Sequence, residues 1–348
     1  MAPQPLALLI LSIGLGTTIT FSTSNWFLAW MGLEINTLAI LPLLALSGHP
    51  RSTEAATKYF FTQAAGAAMI LFAGLLSAYQ TGQWDILHMN SPAISTLVYV
   101  ALALKLGLAP LHTWMPEVLQ GVDLSVGLLI ATWQKLAPFA LMYQLVHTPN
   151  LVLLTAGTLS ILWGAFGGLD QLHIRKLLAY SSISHLGWVV LVLQLRPEVA
   201  LLTLALYFIL TTSAFLCMKS MKIPHYAAVV HAFTLSNLIV MAIPFALLSL
   251  AGLPPLTGFI SKLLVVSSLI AAGNSFIVLS ALAGGLLSMP IYIRLTHAAA
   301  LLVPLMLAPH MARWRAASTK KRLVMASTTV IAMTLLPFIP ALLALLID

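Results

Sequence analysis

Lys105-Leu106-Gly107-Leu108-Ala109-Pro110-Leu111 and Gly252-Leu253-Pro254-Pro255-Leu256-Thr257-Gly258-Phe259-Ile260-Ser261-Lys262 are the two stretches that decide how this chain folds. They share the phrase Gly-Leu-x-Pro-Leu, each phrase interrupts a long apolar run, and each has a lysine close by. Glycine and proline break helices, and inside a bilayer a broken helix is tolerated only where it faces protein or water. A lysine at the centre of a membrane helix costs roughly 2.5–3.5 kcal/mol on insertion scales. Two broken helices with lysines, in matching halves of one chain, read as the elements of an ion path.

Composition sets the medium around those phrases. The 348 residues are 60% hydrophobic and 7% charged, with a mean hydropathy of +1.02, whereas a soluble chain carries about a quarter charged residues. The expectation is an all-α polytopic membrane protein. The single cysteine, Cys217, excludes an internal disulfide framework and argues against a cysteine-based metal site. The pI near 9.7 invites a nucleic-acid reading, but the basic residues sit in short loops between apolar runs, where orientation and contact with anionic lipid explain them better. The N-terminus, Met1-Ala2-Pro3-Gln4-Pro5, has no basic n-region, cleavage pattern or Arg/Ser-rich presequence. We therefore expect an unprocessed chain, made in the compartment whose membrane it enters.

At about 20 residues per crossing, the apolar runs give eleven expected spans, at about 3–21, 25–45, 58–79, 92–118, 124–146, 151–169, 174–194, 198–218, 234–271, 275–297 and 323–346. The fourth and ninth hold the broken phrases, and the ninth reads as two half-helices joined by an extended Leu253-Pro254-Pro255. The whole is one membrane domain, with repeat halves at 1–150 and 151–300 and a basic loop plus a last helix at 301–348. With eleven crossings, twelve of the sixteen Lys and Arg fall on the side of the N-terminus, Arg196 alone falls on the other, and Lys105, Lys135 and Lys262 lie within spans. The positive-inside rule then places the N-terminus in the cytoplasm or matrix and Asp348 on the far side. The broken segments are five crossings apart, an odd number, so they run in opposite directions, as in the inverted repeats of ion transporters.

Four charged residues lie deep inside spans: Glu34, Lys105, Lys135 and Lys262. One reading makes them buried ion pairs that hold helices in register, with Glu34 and Lys105 the natural couple. But one carboxylate cannot neutralise three lysines. Burial disfavours the charged form of either group, so the second reading makes them stations that gain and lose protons in turnover. His185, in Ala179-Tyr180-Ser181-Ser182-Ile183-Ser184-His185, titrates near neutral pH in general and reads either as a relay between the halves or as a packed core residue. His112, just after the first break, is similar and is expected near a surface. Lys219, Lys222, His225 and His231 form a polar stretch expected at a membrane edge. Trp114, Trp133, Trp163 and Trp188 read as packing or interface residues. No Gly-x-Gly-x-x-Gly, P-loop, CxxC or His-Glu-x-x-His occurs, so no site for NADH, flavin or an iron–sulfur cluster is expected, and redox energy must come from a partner chain.

Five stretches carry a family resemblance over essentially the whole chain: Trp30-Met31-Gly32-Leu33-Glu34-Ile35-Asn36, the run from Lys105 to Pro116, Trp133-Gln134-Lys135-Leu136-Ala137-Pro138, the run from Lys176 to Gly187, and the run from Gly252 to Lys262. In that order they resemble the antiporter-like membrane subunits of respiratory complex I. The resemblance implies two inverted five-helix repeats, each with one discontinuous helix, and proton pumping driven by NADH oxidation and ubiquinone reduction elsewhere in the complex. It implies that Glu34 pairs with a lysine of the first half and that Lys105 is the lysine of the first broken helix. Lys135 matches the lysine of the helix that follows, His185 the central position, and Lys262 the second broken helix. It further implies that this chain binds no cofactor itself, with NADH, FMN, iron–sulfur clusters and ubiquinone held by partner subunits. The expected partners are other complex I membrane subunits and phospholipids, including cardiolipin, with no nucleic acid. The expected location is the mitochondrial inner membrane. Bacterial members have fourteen helices, and the shorter chain favours a mitochondrial type. Two other readings stay open: a subunit of a multi-subunit sodium/proton antiporter, and a scaffold subunit with no proton path of its own.

Overall fold

The computed structural model of the chain describes residues 3–89, 91–146, 150–221, 237–254, 256–300 and 319–347. Among these residues the regular structure is helical. The helices are α1 (Pro3–Ser22), α2 (Trp26–Leu44), α3 (Pro50–Thr81), α4 (Pro92–Leu106), α5 (Trp114–Gly121), α6 (Leu124–Ala131), α7 (Trp133–Gln144) and α8 (Leu151–Leu169). They continue with α9 (Ile174–Leu193), α10 (Pro197–Met221), α11 (Asn237–Ala251), α12 (Thr257–Ala271), α13 (Ser275–Ala300), α14 (Thr319–Thr334) and α15 (Ile339–Ile347).

Among the described residues, eight helices are long and apolar enough to cross a membrane, counting Leu124–Gln144 as one span. A bent pair, Ala326–Thr334 with Leu336–Ala344 at 53°, makes up to nine. The segments expected at 92–118 and 234–271 are each two helices, and one helix of each, Pro92–Leu106 and Thr257–Ala271, is apolar but falls short of a full span. The chain is an all-helical polytopic membrane protein. Of the expected polar and basic stretches, Lys222, His225, His231, Arg313, Arg315 and Asp348 lie outside the described residues, while Lys219 is exposed near the end of α10.

Local chemistry explains the helix edges. The Asn25 side chain caps α2 by accepting the Phe27 N–H. Helix α3 begins eight residues before the expected span because Pro50 suits a first helical position. At about 1.5 Å per residue its 32 residues outrun a hydrocarbon core of about 30 Å. The surplus first turns therefore hold charge. Lys58 pairs with Glu54 at 2.6 Å and with Glu117 of α5 at 2.7 Å, with all three side chains exposed.

The chain divides into two compact units, residues 1–160 and 161–348. Within the first, α2 packs on α3 and on α7, α3 packs on both α4 and α5, and α4 packs on α7. Within the second, α9 packs on α10 and on α13, α10 packs on both α11 and α12, and α11 packs on α13. One order of contacts is thus used twice, with the two helices of a broken segment held against the third long helix each time. In each unit a glycine of the leading helix lies against the next one: Gly16 against Gly32 and Asn36, and Gly164 against Tyr180 and Ser184. Small residues let membrane helices approach this closely.

Candidate functional site

The two Gly-Leu-x-Pro-Leu phrases build the same helix terminus. Gly107 has φ +75° and Gly252 has φ +79°, the left-handed region that glycine enters at no steric cost. The Leu108 N–H donates to the Ala103 carbonyl at 2.9 Å and the Gly107 N–H to the Leu104 carbonyl at 3.2 Å. In the second copy Leu253 donates to Leu248 at 3.4 Å and Gly252 to Ser249 at 3.1 Å. This is the Schellman pairing that ends a helix. The link after the second break was expected to be extended. It is a turn, with the Leu256 N–H on the Leu253 carbonyl at 2.9 Å; Pro255 lies outside the described residues.

A helix that ends inside a membrane leaves carbonyls that need donors, and the two units supply different ones. In the first unit the Trp114 indole N–H donates to the Leu104 carbonyl at 3.0 Å, and the Gln63 amide donates to the Lys105 carbonyl at 3.3 Å. The Lys105 side chain is left to point elsewhere. Its stem crosses Gly66 of α3, where an added Cβ would lie 3.0 Å from Lys105 Cγ. The Lys105 ammonium is buried without a hydrogen-bond partner, and so is Oε2 of Glu34. Glu34 is close enough to act on the lysine's charge, yet no direct ion pair joins them among the described residues. The direct pair expected of these two is therefore not the arrangement found.

Lys135, 2% exposed, sits in the first turn of α7. That turn lies between two interruptions: Thr132, which ends α6, and Pro138, which removes a backbone donor inside α7. Beside it the Gln134 amide donates to Asn36 Oδ1 of α2 at 2.9 Å, and the Tyr59 hydroxyl of α3 donates to Gln134 Oε1 at 3.4 Å. The Tyr59 ring meets the Trp114 ring edge-on at 5.7 Å. Tyr59, Gln63 and Gly66 follow at helical spacing along one face of α3, so a single stripe serves both lysines of this unit. His112 was expected near a surface. It is 5% exposed, with its imidazole bonded to the Pro110 carbonyl inside the break.

In the second unit the lysine itself is the donor. Lys262 of α12 donates from Nζ to the Ala251 carbonyl, the last of α11, at 2.7 Å. Its stem runs over Gly252, where an added Cβ would meet Cδ, Cε and Nζ at 3.0–3.1 Å. The ammonium stands 6.0 Å from the ring centre of Trp188, within cation–π range. Lys262 and His185 line one small cavity with Trp188, Thr203, Tyr207 and Ser261. The His185 and Tyr207 rings are 5.9 Å apart, Tyr207 is hydrogen-bonded to Ser182, and Tyr292 to Ser181. The serines and the histidine of α9 thus meet hydroxyls from α10 and α13.

The structure brings Glu34, Lys105, Lys135 and His112 into the first unit and His185 with Lys262 into the second. Nothing in the sequence alone singles out Tyr59 or Gln63 as functional, and Asn36 and Gln134 enter only inside motifs. Of the tryptophans, Trp133 and Trp163 are exposed, as interface residues would be, while Trp114 and Trp188 are buried against the breaks. Chemically, the first unit offers buried lysines with a carboxylate near one of them, and the second a half-buried lysine held by a carbonyl, and such amines can hold or release a proton.

Comparison with known proteins gives the family and the fold. The profile of the family described as NADH:quinone oxidoreductase/Mrp antiporter, TM, matches residues 23–288. The NADH-ubiquinone oxidoreductase chain 2 of Formosania lacustris is 49% identical over 99% of both chains. A chain of respiratory complex I from Thermus thermophilus superposes with a TM-score of 0.86 at 28% identity, over 98% of this chain and 79% of that one. A chain of the Mrp complex from Dietzia sp. shares the fold at a TM-score of 0.82 and 18% identity, over 97% of this chain and 76% of that one. The chain belongs to the NADH:quinone oxidoreductase/Mrp antiporter membrane family, in the branch of the NADH-ubiquinone oxidoreductase chain 2 proteins.

Proposed function

We propose that this chain is a proton-translocating, non-redox membrane subunit of an NADH:ubiquinone oxidoreductase. Protons move through Glu34, Lys105, Lys135, His185 and Lys262, with His112 at the first break, while electrons pass through other subunits. The observation that carries the reading is the doubled break: two Schellman-terminated helices, each with a lysine stem laid over a glycine, in a chain 49% identical to a chain 2 protein. NADH, FMN, iron–sulfur clusters and ubiquinone belong to partner subunits, and this chain works only when assembled with other membrane subunits. Its place is the mitochondrial inner membrane, with the N-terminus in the matrix, the C-terminus in the intermembrane space and anionic lipid, cardiolipin included, along its basic edge. The antiporter reading shares the family model and has a fold likeness at 18% identity, against 49% identity to a chain 2 protein.

The test is Lys135→Met in the assembled complex, reconstituted in sealed vesicles. The expected result is a lower proton yield per NADH oxidised with normal assembly. Undiminished pumping in a fully assembled variant would reduce the chain to a scaffold.

A further inference from the structure

Outside the lysine sites, one groove combines a fixed cation with apolar walls at the edge of the second unit. It is a shallow, open groove between the last turn of α8, the start of α9 and the C-terminal part of α13, lined by Gly168, Leu169, Gln171, Leu177, Ile291 and Arg294. Its floor exists because residue 168 has no side chain: a Cβ there would come within 2.6 Å of Ile291 Cδ1. Arg294 lies across the mouth. One of its N–H groups donates to the Leu169 carbonyl at 3.1 Å, near the C-terminus of α8, while the side chain stays exposed. That bond holds the guanidinium plane in place, and a guanidinium presents five donors in a fork that matches a phosphate.

The surroundings sort candidate anions. Phe166, Leu172 and Ile293, within one helical turn of the groove residues in sequence, are 59%, 61% and 47% exposed. Arg175 and Lys176 start α9 beside Leu177, and His173 precedes them. Asp170 is the carboxylate of this turn, so the fixed charge is positive on balance. A soluble anion would use the guanidinium and leave the apolar surface idle, whereas an anionic phospholipid uses both. Basic pockets between membrane helices on the positively charged side favour such headgroups. We propose that this groove binds the headgroup phosphate of an anionic phospholipid, with Arg294 holding the phosphate and the acyl chains lying along Phe166 and Ile293.

The proposal rests on the chain's place in a membrane and not on the proton path, so the fate of Lys135→Met does not bear on it. The assembled complex, in phosphatidylcholine vesicles, is exposed to phosphatidylglycerol carrying a photoactivatable acyl chain, and adducts are mapped by mass spectrometry. Adducts are expected on peptides covering residues 166–177 and 291–297, several-fold above those from the matching phosphatidylcholine probe. Arg294→Gln should lower the phosphatidylglycerol adducts about fivefold, the effect of one cation near an anionic surface, and Arg294→Lys should retain most of them. Equal labelling by both probes, no labelling of these peptides, or indifference to Arg294→Gln would each overturn the site. Suppression by millimolar inorganic phosphate would overturn it in favour of a soluble anion. If Arg294→Gln does not assemble, the two-probe comparison on the unaltered complex still decides.

Discussion

Gln134 shows how much of the first unit depends on an uncharged side chain. Its amide lies between Asn36 on one side and the Tyr59 hydroxyl on the other, joining α2, α3 and α7 next to Lys135. Gln134→Leu keeps the volume nearly constant and removes both bonds, leaving Asn36 Oδ1 without that donor and the Tyr59 hydroxyl without that acceptor. A buried polar group stripped of its partner costs about 1–3 kcal/mol. The expected outcome is a lower midpoint for thermal unfolding of the assembled complex, together with a lower proton yield, because Lys135 loses the neighbour that holds its turn. Gly66 is the converse case. Gly66→Val places branched carbon against a Lys105 stem that already sits 3.0 Å from the position of a single Cβ. Overpacking of this kind costs about 1–3 kcal/mol. Here it should push the ammonium away from Glu34, so proton yield per NADH falls in vesicles even where a native gel shows full assembly.

At the scale of the element, the two breaks differ in what a methyl group would meet. Alanine at Gly107 or at Gly252 must adopt the left-handed conformation, at a cost of roughly 1–2 kcal/mol. At Gly107 the new Cβ meets the Met115 sulfur at 3.3 Å, a flexible neighbour; at Gly252 it meets the Lys262 stem along Cδ, Cε and Nζ. We therefore expect Gly107→Ala and Gly252→Ala to lower thermal stability alike, with Gly252→Ala alone markedly reducing proton yield. Equal pumping in the two variants would contradict the idea that Lys262 is held by its break. The breaks themselves were legible in the sequence, because a helix cannot run unbroken through a Gly-Pro phrase, and so were the lysines, because charge at that depth is rare. The donors that complete the breaks were not legible. Trp114 and Gln63 are ordinary residues of membrane helices, and only the fold brings them to the Leu104 and Lys105 carbonyls.

Across the whole molecule, the units share an order of contacts but not an inventory of charge. The first holds Glu34 half-buried among its helices together with Lys105 and Lys135. In the second, the described carboxylates are Asp170 and Glu198, a helix-joining residue and a first-turn residue, while Lys262 donates to a carbonyl and shares a cavity with His185, Trp188, Thr203, Tyr207 and Ser261. The single relay proposed above has a consequence that two independent paths lack. The consequence is measurable as non-additivity, since residues that act as one unit give grossly non-additive losses. Lys135→Met and Lys262→Met should each lower the proton yield per NADH by the same amount, and the double variant should fall no further than either. Two independent paths would instead make the losses add. Assembly checked on a native gel, and NADH oxidation measured in uncoupled vesicles, keep a structural failure of either variant from imitating the serial result.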